Sequence, residues 1–221
     1  MGHRRVADSY GGYRARLVDE LRAGGIKSMA VLAAVAEVPR HLFVPEALRA
    51  RAYEDTSLPI GNGQTISRPL THARYLEALN LSGRERVLEV GTGSGYQSAL
   101  LGYLADHVIS LERIADLAIR ARKAIEASGC GNVAVAVADG TLGWPALAPY
   151  DAILVSAAGT TIPKPLTRQL SPSGRMLIPL QRGDGQVLIR VSHGHDGLAE
   201  EELGEAQFVP LTGRRATNDE D

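Results

Sequence analysis

Near the middle of the chain, Val87-Leu88-Glu89-Val90 passes straight into Gly91-Thr92-Gly93-Ser94-Gly95, and a helix-forming stretch then reaches about Leu104. A short buried strand that turns through glycines into a helix can meet its next parallel neighbour only by a crossover, which commits the chain to an α/β layer architecture. The segments that follow keep to this plan. Strands are expected over His107 to Leu111, Val133 to Val137, Asp151 to Ser156, Arg175 to Leu180 and Val187 to Val191, with a last short one at Gln207 to Val209. Between them Ile114, Leu117, Ala118, Ala121, Ala124, Ile125 and Ser128 recur at the helical period, and Gly129 stops the helix. A further helix is expected over Lys164 to Leu170. Such alternation gives a mainly parallel sheet with helices on both faces, whose ligands bind beyond the carboxyl ends of the strands.

The first part of the chain reads differently. Tyr13 to Ala23 predicts a helix stopped by Gly24-Gly25, and Ser28 caps a second from Met29 to about Glu37, closed by Val38-Pro39. The stretch from His41 to Pro69 holds Leu58-Pro59-Ile60-Gly61-Asn62-Gly63-Gln64-Thr65-Ile66-Ser67, whose glycines and prolines predict a shaped loop rather than strands. Pro69 suits the first turn of a helix running to about Asn80. One domain spanning 1–221 is expected: N-terminal helices and a site-forming loop over about 1–80, an α/β core over 81–212, and a flexible tail over 213–221 that ends in Asn218-Asp219-Glu220-Asp221.

Charge and cysteine content narrow the function classes. A formal net charge of −1 gives no electrostatic case for nucleic acid or membrane as a partner, and Arg4-Arg5 reads as a solvated end. With the single cysteine, Cys130, no intrachain disulfide can form. No apolar run approaches the ~18 residues of a bilayer span, and the first twenty residues hold no apolar stretch of the kind expected of a signal peptide. A cytoplasmic, monomeric protein is expected. His193-Gly194-His195 lacks further ligands at a recognisable spacing, so no metal is expected, and Trp144 should pack over a loop edge.

The glycine turn points to a nucleoside-bearing ligand. Glycines at Gly91, Gly93 and Gly95 let a ligand lie against the backbone, but Tyr96 follows, so the G-x-G-x-x-G fingerprint of nicotinamide dehydrogenases is not met. Glu89, just ahead of the turn, would repel a pyrophosphate and favour a cationic amino group such as that of S-adenosylmethionine; otherwise it merely ends a strand. Glu112, 21 positions after Gly91 (112 − 91), can accept both hydroxyls of a ribose. Asp139-Gly140 follows the third strand, where the carboxylate either accepts from an adenine amino group or makes a turn.

Taken with Val38-Pro39-Arg40-His41-Leu42-Phe43-Val44-Pro45, Gln64-Thr65-Ile66-Ser67, Tyr150-Asp151-Ala152-Ile153 and Phe208-Val209-Pro210-Leu211-Thr212, these residues make the chain resemble the protein-L-isoaspartate (D-aspartate) O-methyltransferase family from about Val31 to Thr212. The Gln64-Thr65-Ile66-Ser67 loop is the most specific part of the likeness. The resemblance implies a Rossmann-like methyltransferase fold with an N-terminal helical cap. It implies that Ser67 holds the active-site serine position, with Thr65, Ile66 and His72 near cofactor and substrate. It further implies that Glu89, Gly91, Gly93, Glu112, Asp139 and Gly140 line an S-adenosylmethionine pocket, and that Thr212 closes the site. Ala138 stands where a glycine is more usual. The activity implied is methylation of the free α-carboxylate of L-isoaspartyl residues in damaged proteins and peptides, which starts repair through a succinimide. A methyltransferase for a dedicated peptide, or a noncatalytic S-adenosylmethionine-binding protein, would keep the same cofactor loop.

Overall fold

A computed structural model describes residues 10–194 and 197–214. Helix α1 (Gly11–Ala23) and helix α2 (Met29–Glu37) come first. The Ser28 hydroxyl accepts from Val31 N at 3.3 Å, the N-cap expected of it. Where a shaped loop was expected, strand β1 (Leu58–Gly61) and strand β2 (Gln64–Ile66) form a small antiparallel hairpin. Its turn residues, Asn62 and Gly63, both take positive φ (54° and 69°). An Asn-Gly pair with both residues left-handed is the usual way to close a two-residue hairpin, so a specific signal was present in the sequence.

Helix α3 (Pro69–Leu79) follows, with Pro69 in its first turn and Asn80 capping it in the left-handed region at φ 52°. Both ends are pinned from elsewhere. Asp55 Oδ1 accepts from Leu70 N at 2.9 Å, supplying the anion that a helix N-terminus favours. At the other end Arg190 donates to Ala78 O (2.7 Å), and Arg175 donates to Leu79 O and Asn80 O (2.6 Å each). The helix that carries His72 is thereby fixed to the sheet.

The rest of the chain is strand β3 (Arg86–Val90), helix α4 (Tyr96–Leu104), strand β4 (His107–Glu112), helix α5 (Ala115–Ala127), strand β5 (Val133–Val137), strand β6 (Tyr150–Val155), the one-turn helix α6 (Lys164–Thr167), strand β7 (Leu170–Arg182), strand β8 (Gly185–Gly194) and strand β9 (Gly197–Ala206). Seven strands lie in the order β5-β4-β3-β6-β7-β8-β9. The first five run parallel, and β8 and β9 add antiparallel neighbours. Strand order reverses between β3 and β6, so the ligand crevice of such a sheet belongs there.

Two expectations about the end of the chain need correction. Gln207 to Val209 is not a strand; the segment instead meets Ala158 in an isolated bridge through Pro210. The last strand is β9, whose Glu200-Glu201-Glu202 is exposed and carries no apolar alternation, because an edge strand in water needs none. Gly213 and Arg214 do not belong to a loose tail, since Arg214 N donates to Asp139 Oδ2 at 2.8 Å. The expectations for Arg4-Arg5, His195 and Asn218-Asp219-Glu220-Asp221 lie outside the described residues.

Apolar side chains fill both faces of the sheet. Val87, Val108, Ala152, Leu154 and Leu177 pack with the N-terminal helices, while Leu88, Val90, Ile153, Val155 and Met176 form the core on the opposite face. Trp144 joins the second core as a partly buried cover, as expected. No described helix is long and apolar enough to cross a membrane.

Candidate active site

A cavity of about 270 Å³ opens at the carboxyl end of the sheet, beside the point where strand order reverses. Segments from across the chain build its wall: the hairpin end Gly63 to Ser67, the α3 residues Thr71, His72 and Tyr75, the turn Val90 to Ser94, the strand ends Leu111 to Ile114 with Gly140 and Ser156-Ala157, and the segment Phe208 to Thr212.

The glycine turn is shaped by its backbone. Gly91, Gly93 and Gly95 have φ of 95°, 54° and 87°, conformations that cost other residues strain. A Cβ on Gly95 would lie 3.1 Å from Ala121 Cβ, and one on Gly140 would come within 2.4 Å of Val90 Cγ1. These glycines keep the cavity floor open and the helices close to the strands. Glu112 ends β4 as a buried residue, 7% exposed, and its two oxygens accept from Gly93 N and Ile114 N at 2.9 Å each. Those bonds fix it on the wall and leave lone pairs for a further donor, which suits a pair of ribose hydroxyls.

Glu89 is not on the wall. Strand alternation sends its side chain to the α4 face of the sheet, where it is completely buried. Its Oε2 accepts from the hydroxyls of Ser98 and Ser110, the latter at 2.6 Å, while Oε1 has no partner. Burial pushes its pKa up to about 7 and the nearby Glu112 adds to the rise, against the pull of the two hydroxyls. Glu89, expected to meet a ligand amino group, thus lies outside the residues that line the cavity. It braces the strand beneath the glycine turn.

Asp139 does not line the cavity either. Its Oδ1 accepts from Thr141 N (3.0 Å) and Thr141 Oγ1 (2.7 Å), and its Oδ2 from Arg214 N. Burial alone would raise its pKa, but these donors hold it below the ordinary carboxylate range. Asp139 clasps the segment that crosses the cavity, while its neighbour Gly140 lines it. That segment is held at two more points. Ala158 pairs with Val209 O and Leu211 N, and the Gln186 amide both donates to Phe208 O and accepts from Phe208 N. Thr212 lies on the cavity wall as expected.

Thr65, Ile66, Ser67 and His72 all reach the cavity. His72 Nδ1 bonds to Gln97 Oε1, and its ring stands edge-on to Tyr96 at 5.3 Å. Burial, reinforced by the Arg40 guanidinium, lowers its pKa to about 3, so it is neutral across the physiological range. Sequence reasoning missed Gln97, Ser156 and Ala157, although the last two directly follow a parallel strand and could have been found from that position. No group of three or more metal-binding side chains occurs among the described residues.

The comparisons with known proteins agree with this geometry. The model of the family described as protein-L-isoaspartate(D-aspartate) O-methyltransferase matches residues 13–216. A protein-L-isoaspartate O-methyltransferase of Dictyoglomus thermophilum is 48% identical over 206 residues, covering 93% of this chain and 94% of that one. One from an Anaeromyxobacter strain is 51% identical over 202 residues, covering 90% and 95%. Among solved structures, a Plasmodium falciparum protein-L-isoaspartate O-methyltransferase in complex with S-adenosyl-L-homocysteine superposes with a TM-score of 0.80 at 26% identity, covering 90% of this chain and 98% of that chain.

Proposed function

The chain belongs to the protein-L-isoaspartate(D-aspartate) O-methyltransferase family, and from that premise we propose how its cavity carries out the family's reaction. The protein transfers a methyl group from S-adenosylmethionine to the free α-carboxylate of L-isoaspartyl residues in damaged proteins and peptides. One observation carries the proposed arrangement: the Gln64 to Ser67 hairpin end lines the same cavity as Gly91, Gly93 and Glu112.

The cradle suits an adenosine-bearing group. Positive-φ glycines let it lie against the backbone, the remaining lone pairs of Glu112 suit ribose hydroxyls, and Gly140 leaves room where a side chain would collide with Val90. Gly91, Gly93, Glu112 and Gly140 would hold it, with Thr65, Ile66, His72 and Thr212 enclosing it. When bound, S-adenosylmethionine supplies an electrophilic methyl on a sulfonium, which is a strong leaving group. Little else is asked of the protein. A carboxylate with a pKa of about 3.5 is already ionised at neutral pH, so no general base is needed. His72, held neutral and bonded to Gln97, acts as a wall rather than as a base. Ser67 donates its hydroxyl to one carboxylate oxygen, leaving the other to face the methyl group, and the crossing segment 208–212 keeps water from the line of attack. The ester then loses methanol to the neighbouring backbone nitrogen, and the resulting succinimide hydrolyses in part to normal aspartate.

The same proposal takes the protein as a cytoplasmic monomer working on proteins and peptides, apart from nucleic acid and membrane. The near-zero net charge and the single cysteine support this. Transfer of labelled methyl to matched isoaspartyl and aspartyl peptides tests the function. Labelling of the isoaspartyl peptide alone is expected, and labelling of neither would overturn it.

A further inference from the structure

Arg40 has no exposed surface at all, an uncommon setting for an arginine. Its Nε donates to Ala52 O at 2.8 Å and its Nη2 to Ser67 O at 2.7 Å, with the guanidinium 4.7 Å from the centre of the Tyr96 ring. The two carbonyls belong to segments 15 residues apart (67 − 52), so one side chain ties the chain before the hairpin to the chain after it. Arg40 does not itself reach the cavity, but Ser67 does.

Among the described residues the charges that act on it do not balance. Asp55, whose carboxylate charge reaches Arg40, is already engaged by Arg68 through Nε at 2.9 Å and through Nη2, and by Leu70 N. His72, on the cavity side, is neutral. Tyr96 and Tyr53, which also act on the guanidinium, are uncharged phenols at neutral pH. Among the described residues that act on the guanidinium or on Asp55, Arg40, Arg68 and Asp55 together leave one positive charge, and the buried member of the three is bonded to the carbonyl of the serine on the wall. In an interior of low dielectric such a charge acts over more distance than it would in water.

We infer that Arg40 is the positioning residue for the substrate carboxylate: it grips Ser67 through its carbonyl, and its unbalanced charge favours an anion beside the Ser67 hydroxyl. The same guanidinium therefore orients the donor and selects the charge of the acceptor. The inference rests on the proposed placement of the carboxylate at Ser67.

The test uses the enzyme saturated with S-adenosylhomocysteine and two peptides, one isoaspartyl and one with an α-carboxamide in place of the α-carboxylate. By calorimetry the wild type binds the carboxylate peptide at least tenfold more tightly. Arg40→Met brings that preference below threefold, while S-adenosylhomocysteine affinity stays within threefold of wild type. Arg40→Lys keeps the charge but grips one carbonyl in place of two, so it retains the preference and lowers kcat with KM little changed. An unchanged preference in Arg40→Met overturns the inference, as does a parallel loss of S-adenosylhomocysteine binding. Should Arg40→Met fail to fold, Arg40→Lys decides alone: lost preference, or unchanged kcat, sinks the idea. Failure of the functional reading would look different, because the wild type would then transfer no methyl to the isoaspartyl peptide.

Discussion

Removing the Ser67 hydroxyl takes one donor from the cavity wall without touching the glycine turn or Glu112. A hydrogen bond to a charged group contributes about 1.5–3 kcal/mol, so Ser67→Ala is expected to lower kcat/KM for isoaspartyl peptide by roughly tenfold to a hundredfold. Cofactor affinity, measured in the same preparation, should stay within roughly twofold of wild type, and an equal loss of both would make Ser67 a structural residue. Glu89 supports a different prediction. Its pKa rises to about 7 in the folded protein from an ordinary value of 4.5. The native state therefore binds more protons than the unfolded chain between those values. Glu89 stabilises the fold most below about pH 4.5, and its contribution is lost as pH rises towards 7. Glu89→Gln, which can still accept from Ser98 and Ser110, should flatten that slope and gain stability relative to wild type above pH 7, by up to about 3 kcal/mol. Urea titrations of both proteins at pH 5 and pH 8 read the difference directly. Glu89 shows how a residue type and spacing can be legible while its role is not. The carboxylate before a glycine turn was visible in the sequence, but which face of β3 it occupies follows from the sheet.

At the scale of elements, the segment 207–214 matters most, because it crosses the cavity while having almost no regular structure of its own. Three separate anchors hold it: the Gln186 amide, the Ala158 backbone and the Asp139 carboxylate. Loss of the last should loosen the end near Thr212 and spare the rest of the fold. Asp139→Ala is expected to speed amide hydrogen exchange in 210–214 while leaving the strands protected, and to weaken S-adenosylhomocysteine binding by roughly tenfold, about 1.4 kcal/mol. Unchanged exchange in that segment would mean that the other two anchors suffice. The hairpin β1–β2 and strand β9 mark the limits of local reading. Asn62-Gly63 was a hairpin signal inside a stretch whose prolines argued for a loop, and tertiary pairing of Leu58 with Ile66 decided for strands. Strand β9 left no periodic trace, since every residue from Gly197 to Glu202 is exposed, and only the pairing of β8 makes it a strand.

For the molecule as a whole, we propose that the N-terminal helices and the sheet unfold together. Leu17, Leu21, Val31 and Val35 share one core with Val87, Leu154 and Leu177, and Arg175 and Arg190 bind the end of α3 from the sheet. A single calorimetric transition, with van't Hoff and calorimetric enthalpies equal, is the expected result; two resolved transitions would separate the helical cap from the core. The parallel core was legible because strands buried on both faces and helices of apolar period write their pattern into consecutive residues. Val87 to Val90, the glycine turn and the α5 repeat announce themselves locally, and they sufficed for the fold class and the place of the cavity, while the cofactor class came with the family resemblance. What only the tertiary structure decided depends on partners distant in the chain. Asp139 became a clasp because Arg214, 75 residues on, presents its N–H there. Arg40 stands behind Ser67, 27 residues away, because the hairpin folds back over it. Periodicity records which face a residue turns to the core, and it holds no record of which distant donor or charge that face will meet.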